Sequence, residues 1–411
     1  MINEYFILLI IVILAFFMPL LLQRTNIPAV VGEIVAGMMV GFIFFIIYQL
    51  TGETFLGEYP SVDFLAHIGF IFLMFLSGLE LDFVRIESQG RKKQLRGVIV
   101  FVMTLLIAFP LVTLLNNLTG GGMETLFVTI VLATTALAVV LTVVREMALN
   151  RSPWGQELIV NAVIADVAAM ILLTIYAIGV DVTGSDDILF PLLAVSMFIA
   201  ILVFFIVIYR LGNWAMWYFP GTLRRFFRSD DPHELGVRAS LMIIFTFVAI
   251  SSVIDSKALT VLGAFLAGAA ISMLFRDSLL LGQKLNGIGY GFLIPVFFIT
   301  IGINFQFADV LNMATLILLP GLVIITAVAK IVPFLLLSSG CARRDLTQGV
   351  LMTGGLTLMI AGAEIGKDLG VLDASSYGLL ILLAVVLAVI TPTLFRYLFT
   401  RFRLAEQEGC L

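Results

Sequence analysis

The sequence predicts an all-α integral membrane protein of about thirteen transmembrane helices. Three observations carry that prediction. First, 61% of the 411 residues are hydrophobic and 12% are charged, with a mean hydropathy of +1.15. A soluble domain is about half apolar and about a quarter charged. Second, apolar runs of about 20 residues, long enough to cross a bilayer, recur along the whole chain. Third, Lys and Arg collect in every second connection, as they do on the cytoplasmic side of a membrane. The net charge of −4 and the lack of a basic stripe exclude a nucleic-acid partner. The two cysteines, Cys341 and Cys410, show no CxxC spacing, so neither a disulfide framework nor a zinc site is expected.

The spans fall at 4–22, 28–48, 62–83, 98–118, 124–147, 157–179, 190–210, 236–254, 258–275, 286–304, 315–338, 345–370 and 376–399. The first, in "MINEYFILLIIVILAFFMPLLLQ", has no basic n-region and no small-residue cleavage site, so it reads as a retained helix. The second holds "VVGEIVAGMMVG", and the third ends in "FLSGLELDF" before the basic loop Arg85–Arg96. The fifth is interrupted at its middle by Thr134 and Thr135, and the sixth carries Asp166. The seventh leads into the link 211–235, rich in Arg and aromatic residues. Only "IDSKAL" separates the eighth span from the ninth, which holds "VLGAFLAGAAIS". The tenth contains "ITIGINFQF", the eleventh Lys330 and Pro333, and the twelfth Gly354 and Gly355 at its middle. Counting the basic residues from Arg24 to Arg403 over alternate loops places the N-terminus outside and the C-terminus in the cytoplasm.

Two motifs recur in order. Val30–Gly41 and Val261–Ser272 both read V-x-G-x-x-x-A-G, and Phe75–Phe83 resembles Ile299–Phe307, with Gly78 matching Gly302. Small residues are common in any membrane helix, but two matches in the same order indicate a duplication. The offset spans seven helices, an odd number, so the copies have opposite orientation. The expected organisation is a first inverted repeat at 1–189, a linking helix and cytoplasmic link at 190–235, and a second inverted repeat at 236–411. Inverted repeats with broken helices characterise secondary transporters that bind their substrate near the membrane midplane.

The mid-membrane polar residues are the candidate site. An ionisable group at that depth costs on the order of 3 kcal/mol and marks function by default. Asp166 sits near the centre of its span, and its helical neighbours Ala162, Val163, Ala169 and Met170 offer no partner. Its partner must come from another helix. Lys330 lies too deep to reach either interface. The interruptions at Thr134–Thr135 and Gly354–Gly355 occupy equivalent places in the two repeats. Unwound backbone there would offer oxygens to a cation, and the half-helix dipoles would call for Asp166 and Lys330 as compensating charges. Glu33, near a helix end, is a lesser candidate that a solvated position explains equally well. Glu364, two turns from the end of its span, is another.

These residues resemble a known family. "IPAVVGEIVAGMMVG", "LTVLGAFLAGAAIS", "PVFFITIGINFQF" and the aspartate of "VIADVAAMILL" are similar to the monovalent cation:proton antiporter family 2, over nearly the whole chain and in the same order. The resemblance implies a sodium/proton antiporter-like fold with two crossed discontinuous helices, and a homodimer whose core domain moves as an elevator. It implies that Asp166 is the ion-binding aspartate, that Thr134 and Thr135 lie at the first crossover and Gly354 and Gly355 near the second. Lys330 matches a lysine that many members carry. One position departs: members commonly place Asp, Asn or Gln before that aspartate, and this chain has Ala165.

The expected activity is exchange of Na⁺ or K⁺ for H⁺ across the cell membrane, both competing for Asp166, without a cofactor. One carboxylate trading one proton for one monovalent cation moves no net charge, so exchange should be electroneutral. The alternative is a sodium-coupled symporter of a small organic solute, for which the core is poor in hydrogen-bonding groups. An intramembrane enzyme would need a second catalytic group beside Asp166, and no HExxH, GxSxG or second central aspartate is present.

Overall fold

The computed structural model describes residues 4–22, 27–51, 59–81, 90–120, 122–149, 152–183, 189–218, 233–253, 257–274, 279–307, 313–338 and 340–402. Every regular element among them is helical. In chain order these are α1 (Glu4–Leu22), α2 (Ala29–Thr51), α3 (Pro60–Leu79), α4 (Arg91–Leu118), α5 (Thr125–Ala133), α6 (Leu137–Glu146), α7 (Pro153–Thr183) and α8 (Leu189–Tyr218). There follow α9 (Leu235–Ser251), α10 (Lys257–Leu274), α11 (Leu279–Ile288), a π-helical turn (Gly289–Leu293), α12 (Ile294–Ile303), α13 (Met313–Leu336), α14 (Ala342–Met352), α15 (Thr357–Asp368) and α16 (Ala374–Arg401). Pro60 and Pro153 open α3 and α7, where the missing N–H costs nothing. Asp373 caps α16 by accepting from the Ser376 main-chain N at 3.1 Å.

Ten of the described helices, counting α5–α6 and α11–α12 as single spans, are long and apolar enough to cross a membrane. The pair α14–α15, bent by 43°, makes an eleventh, and α9 and α10 are shorter apolar helices. Among the described residues, ten or eleven helices thus meet the length and composition of a span, and α9 and α10 stand where the sequence expects its eighth and ninth. The run at 236–275 divides into two pieces of 17 and 18 residues, at the short end of the roughly 17–25 residues that cross a bilayer. Of the basic residues used for orientation, Arg24, Arg85, Arg151, Arg224, Arg225, Arg228, Arg276 and Arg403 lie outside the described residues. Cys341 is disulfide-bonded, which corrects the expectation that the cysteines make no such bond.

The chain divides into two compact units. The first comprises Met1–Met18, Glu33–Phe83 and Thr174–Asn304, and the second Pro19–Gly32, Val84–Leu173 and Phe305–Leu411. This is a division by packing, and each unit takes helices from both halves of the sequence.

Glycines set the packing of the first unit. A Cβ at Gly37 of α2 would run into the Ile299 carbonyl of α12 and lie 3.0 Å from Gly302 Cα. A Cβ at Gly302 would meet Ile34 O and lie 2.7 Å from Met38 N. The α3–α10 pair repeats this arrangement: Gly78 is against Phe265 O and Ala269 N, and Gly268 against Phe75 O and Leu79 N. The two recurring sequence motifs thus make the same backbone-to-backbone contact twice, each copy of one motif on a copy of the other. Ile7, Ile11, Phe44, Val62, Val296, Ile299 and Ile303 close an apolar core around one of these contacts.

The second unit holds α4 to α6, most of α7, and α13 to α16. Trp154 is fully buried and stacks on Phe395 at 6.1 Å and Phe399 at 5.9 Å. An ion-pair cluster ties three helices, α4, α7 and α14: Arg96 reaches Glu157 at 2.9 Å and Asp345 at 3.3 Å, and Arg344 reaches Glu157 at 2.9 Å. Arg96 also donates to Leu337 O at 3.1 Å, and Ser338 to Asp345 at 2.5 Å.

Gly268→Val and Gly78→Val should each lower the stability of the detergent-purified protein by about 1–3 kcal/mol or more, because the added atoms meet backbone that cannot rotate away. Gly282→Ala, where a Cβ meets open space, should leave the thermal midpoint within about a degree of wild type, since surface changes away from such contacts are nearly neutral.

Candidate ion site at two crossed helix breaks

The interrupted spans are broken where the polar pairs stand. α5 ends at Ala133; Thr134 (φ −62°, ψ 150°) and Ala136 (φ −93°, ψ 100°) are extended, and α6 begins at Leu137. α14 ends at Met352 and α15 starts at Thr357, with Gly354 and Gly355 in the gap. The gaps touch: the Ala136 main-chain N donates to Gly354 O at 2.7 Å. Gly355 packs closely on the first break: a Cβ there would lie 2.9 Å from Met359 Cε, the movable end of a side chain, and 3.5 Å from Thr134 O.

Each break turns its threonine back on its own half-helix. Thr134 Oγ1 donates to Val131 O at 2.7 Å, and Thr353 Oγ1 donates to Val350 O at 2.7 Å. Thr353 Oγ1 also lies 3.0 Å from Thr391 Oγ1 of α16. Thr353 and Thr391 escaped the sequence reading. A signal for Thr353 exists, because V-L-x-T occurs at both Val131–Thr134 and Val350–Thr353.

The breaks leave helix ends that need charge. α5 and α14 end in carbonyls, and Lys330 of α13 spans both: its Nζ donates to Thr134 O, to Met352 O at 3.0 Å, and at 3.4 Å to Thr135 Oγ1. Thr135 Oγ1 donates in turn to Met352 O at 3.3 Å. α6 begins with free N–H groups, and Asp166 of α7 accepts from Leu137 N, the first residue of α6, at 3.3 Å. A cation therefore sits on two negative dipole ends and an anion on a positive one. Asp166, Lys330, Thr134 and Thr135 are each at most 3% exposed, and Lys330 and Asp166 lie within electrostatic range of one another. The nearer acceptors of Lys330 are main-chain carbonyls, and Asp166 accepts from an amide of another helix.

Beside the crossover lies a small cavity with about 20 Å³ of room for water, lined by Gly97, Val100, Phe101, Thr104, Ala133, Thr135, Asn161, Ala165, Lys330, Phe334 and Met352. Ala165 also packs on the apolar cluster of Phe101, Ala133 and Ala169. Asn161, absent from the candidates above, is the buried amide of that lining.

The structure does not bring Glu33 and Glu364 to the crossover in the same way. Glu33 belongs to the first unit and is buried at 4% exposure, so it is not a solvated helix end. Glu364 of α15 accepts from Tyr377 Oη, and Lys367 lies over the same ring at 4.8 Å. It stands about two helical turns past the break.

Discontinuous helices meeting at their centres, with side chains answering their dipoles, define the broken-helix class of secondary transporters. The chain belongs to the sodium/hydrogen exchanger family, whose transmembrane region its residues 12–401 match. YjbQ of Bacillus subtilis (strain 168), which carries the name of a sodium/proton antiporter, is 33% identical over 423 residues. That alignment covers 98% of this chain and 64% of YjbQ, so the chain spans just under two thirds of that relative. GerN of Bacillus cereus, a Na(+)/H(+)-K(+) antiporter, is 24% identical, with 92% of this chain and 91% of GerN covered. The structure of the sodium proton antiporter MjNhaP1 from Methanocaldococcus jannaschii matches with a TM-score of 0.59 over 98% of each chain, at 12% identity. That is a likeness of fold. These relatives are named as transporters, not as enzymes.

Lys330→Met should destabilise the protein by about 3 kcal/mol, since it strips charged hydrogen bonds from two buried carbonyl ends. Lys330→Gln keeps a donor and should cost less. Thermal unfolding in detergent, compared across the three proteins, checks the order.

Proposed function

We propose that this multi-pass membrane protein exchanges a monovalent cation, Na⁺ or K⁺, for H⁺, and that the two compete for Asp166. One observation carries the reading: a buried carboxylate on the positive end of a half-helix, where two broken helices cross and main-chain and hydroxyl oxygens converge. Protonated, Asp166 is neutral; deprotonated, it offers a charge to a dehydrated cation. Thr134 and Thr135 supply neighbouring oxygens, and Gly354 and Gly355 let the second break approach closely.

The exchange we propose is electroneutral, one proton for one cation. Lys330 donates to two carbonyl ends, which supports a structural part for it and leaves the exchange to Asp166. Ala165 leaves Asp166 as the single exchanging acid on its face of α7. No cofactor enters this chemistry. The names of the relatives, one sodium/proton and one also potassium, support both cations as candidates.

The wider arrangement is also our proposal. All the crossover residues fall within one compact unit, which supports alternating access in which that unit carries the site. The twice-made glycine contact supports the inverted-repeat reading of 1–189 and 236–411. We place the protein in the cell membrane, as a homodimer, with its N-terminus outside and its C-terminus in the cytoplasm.

The test is dye-reported proton movement in proteoliposomes given Li⁺, Na⁺, K⁺ and Rb⁺ in turn. Asp166→Asn keeps an oxygen for Leu137 N and should retain the fold, yet abolish cation-driven proton movement; retained exchange would remove Asp166 from the central role. Collapsing the membrane potential should leave the wild-type rate unchanged, and a strong dependence on potential would overturn the one-to-one stoichiometry.

A further inference from the structure

The face of α7 that looks onto the cavity carries two lining residues one turn apart, Asn161 and Ala165. Ala165 has nothing to offer Lys330. Asn161 does: it is 4% exposed, and neither its Oδ1 nor its Nδ2 has a hydrogen-bond partner among the described residues. A buried amide with both ends unmet is costly, and native structures answer such groups with protein or ordered water.

The surroundings are shaped for this amide. A Cβ at Gly97 of α4 would lie 2.9 Å from Asn161 Oδ1 and 2.7 Å from Ile164 Cδ1, so only glycine leaves the amide its place. The cavity's 20 Å³ exceeds the roughly 10–15 Å³ that one water needs. Lys330, on the same cavity, has three N–H donors. Two serve carbonyls, and the third has only the long 3.4 Å contact to Thr135 Oγ1.

We propose that this cavity is a hydration site in which a water held by the Asn161 amide completes the donor shell of Lys330. The water has three polar partners, Asn161, Lys330 and Thr135, within the two to four that buried waters make. Asn161 is then a positioning residue. It acts on the lysine through water, one helical turn before Ala165, so the polar group that α7 turns toward Lys330 is displaced from position 165 to position 161. The consequence for transport rests on the exchange proposed above; the hydration of the cavity does not.

Two measurements test this. Radiolytic hydroxyl labelling of the wild-type protein in detergent reads water directly. Met352 lines the cavity at 3% exposure, while Met170 is buried at 1% on the same helix as Asn161 but outside the lining. We expect Met352 to label about tenfold faster than Met170; equal protection would show a dry cavity and overturn the proposal without touching the exchange reading. In proteoliposomes, Asn161→Leu should expel the water and slow exchange about tenfold, the scale of one hydrogen bond to a charged group. Asn161→Ser leaves a hydroxyl and room for water, and should return the rate to within about twofold of wild type. A wild-type rate for Asn161→Leu, or equal losses in both variants, would overturn the role of Asn161.

Discussion

Two helices broken at their centres create an electrostatic problem that the rest of the second unit is arranged around. A break exposes the carbonyl end of one half-helix and the amide end of the next, and in a protein interior neither can turn to bulk water. Here two carbonyl ends share one ammonium, that of Lys330, and one amide end takes a carboxylate, that of Asp166. The breaks also pair with each other through Ala136 N and Gly354 O, and each threonine folds back on its own helix. Without the breaks Asp166 would be an unanswered acid. Without Asp166 and Lys330 the breaks would leave unanswered dipoles.

The same constraint separates the roles of the two charged groups. Lys330 donates to main-chain oxygens that never change charge, so its ammonium is part of the architecture. Asp166 is a carboxylate set against the amide end of a half-helix, through Leu137 N, and it is the group to which the exchange proposed above assigns the proton and the cation. The separation needs a supporting frame, and the ion-pair cluster of Arg96, Glu157, Arg344 and Asp345 supplies one by tying α4, α7 and α14 together. Arg96 adds the end of α13 through Leu337 O. Lys330 and Asp166 therefore stand on helices fixed by a second, independent set of contacts.

The first unit solves a different problem by a different means. Apolar helices in lipid gain little from burying apolar surface against one another, so close packing must hold them together. Glycines at 37, 78, 268 and 302 bring the backbones of α2 and α12, and of α3 and α10, into direct contact. The two contacts use corresponding residues of both recurring motifs. A sequence pattern visible as a repeat is thus realised as one packing interaction made twice.

The sequence by itself determined the membrane class, the places of the helix breaks, and the two charges that had to lie near them. Each of these follows from local composition: apolar length, small or hydroxyl residues at mid-span, and ionisable groups where they are expensive. Only the tertiary structure decided the partners. Lys330 meets carbonyls of residues 134 and 352, which are remote in sequence, and main-chain oxygens leave no mark in a residue string. Glu33 proved buried, because depth depends on neighbours from other helices. Asn161 was passed over for the same reason: an asparagine is ordinary in sequence and becomes informative only when its amide is found buried, unmet and facing a cavity beside a lysine from another helix.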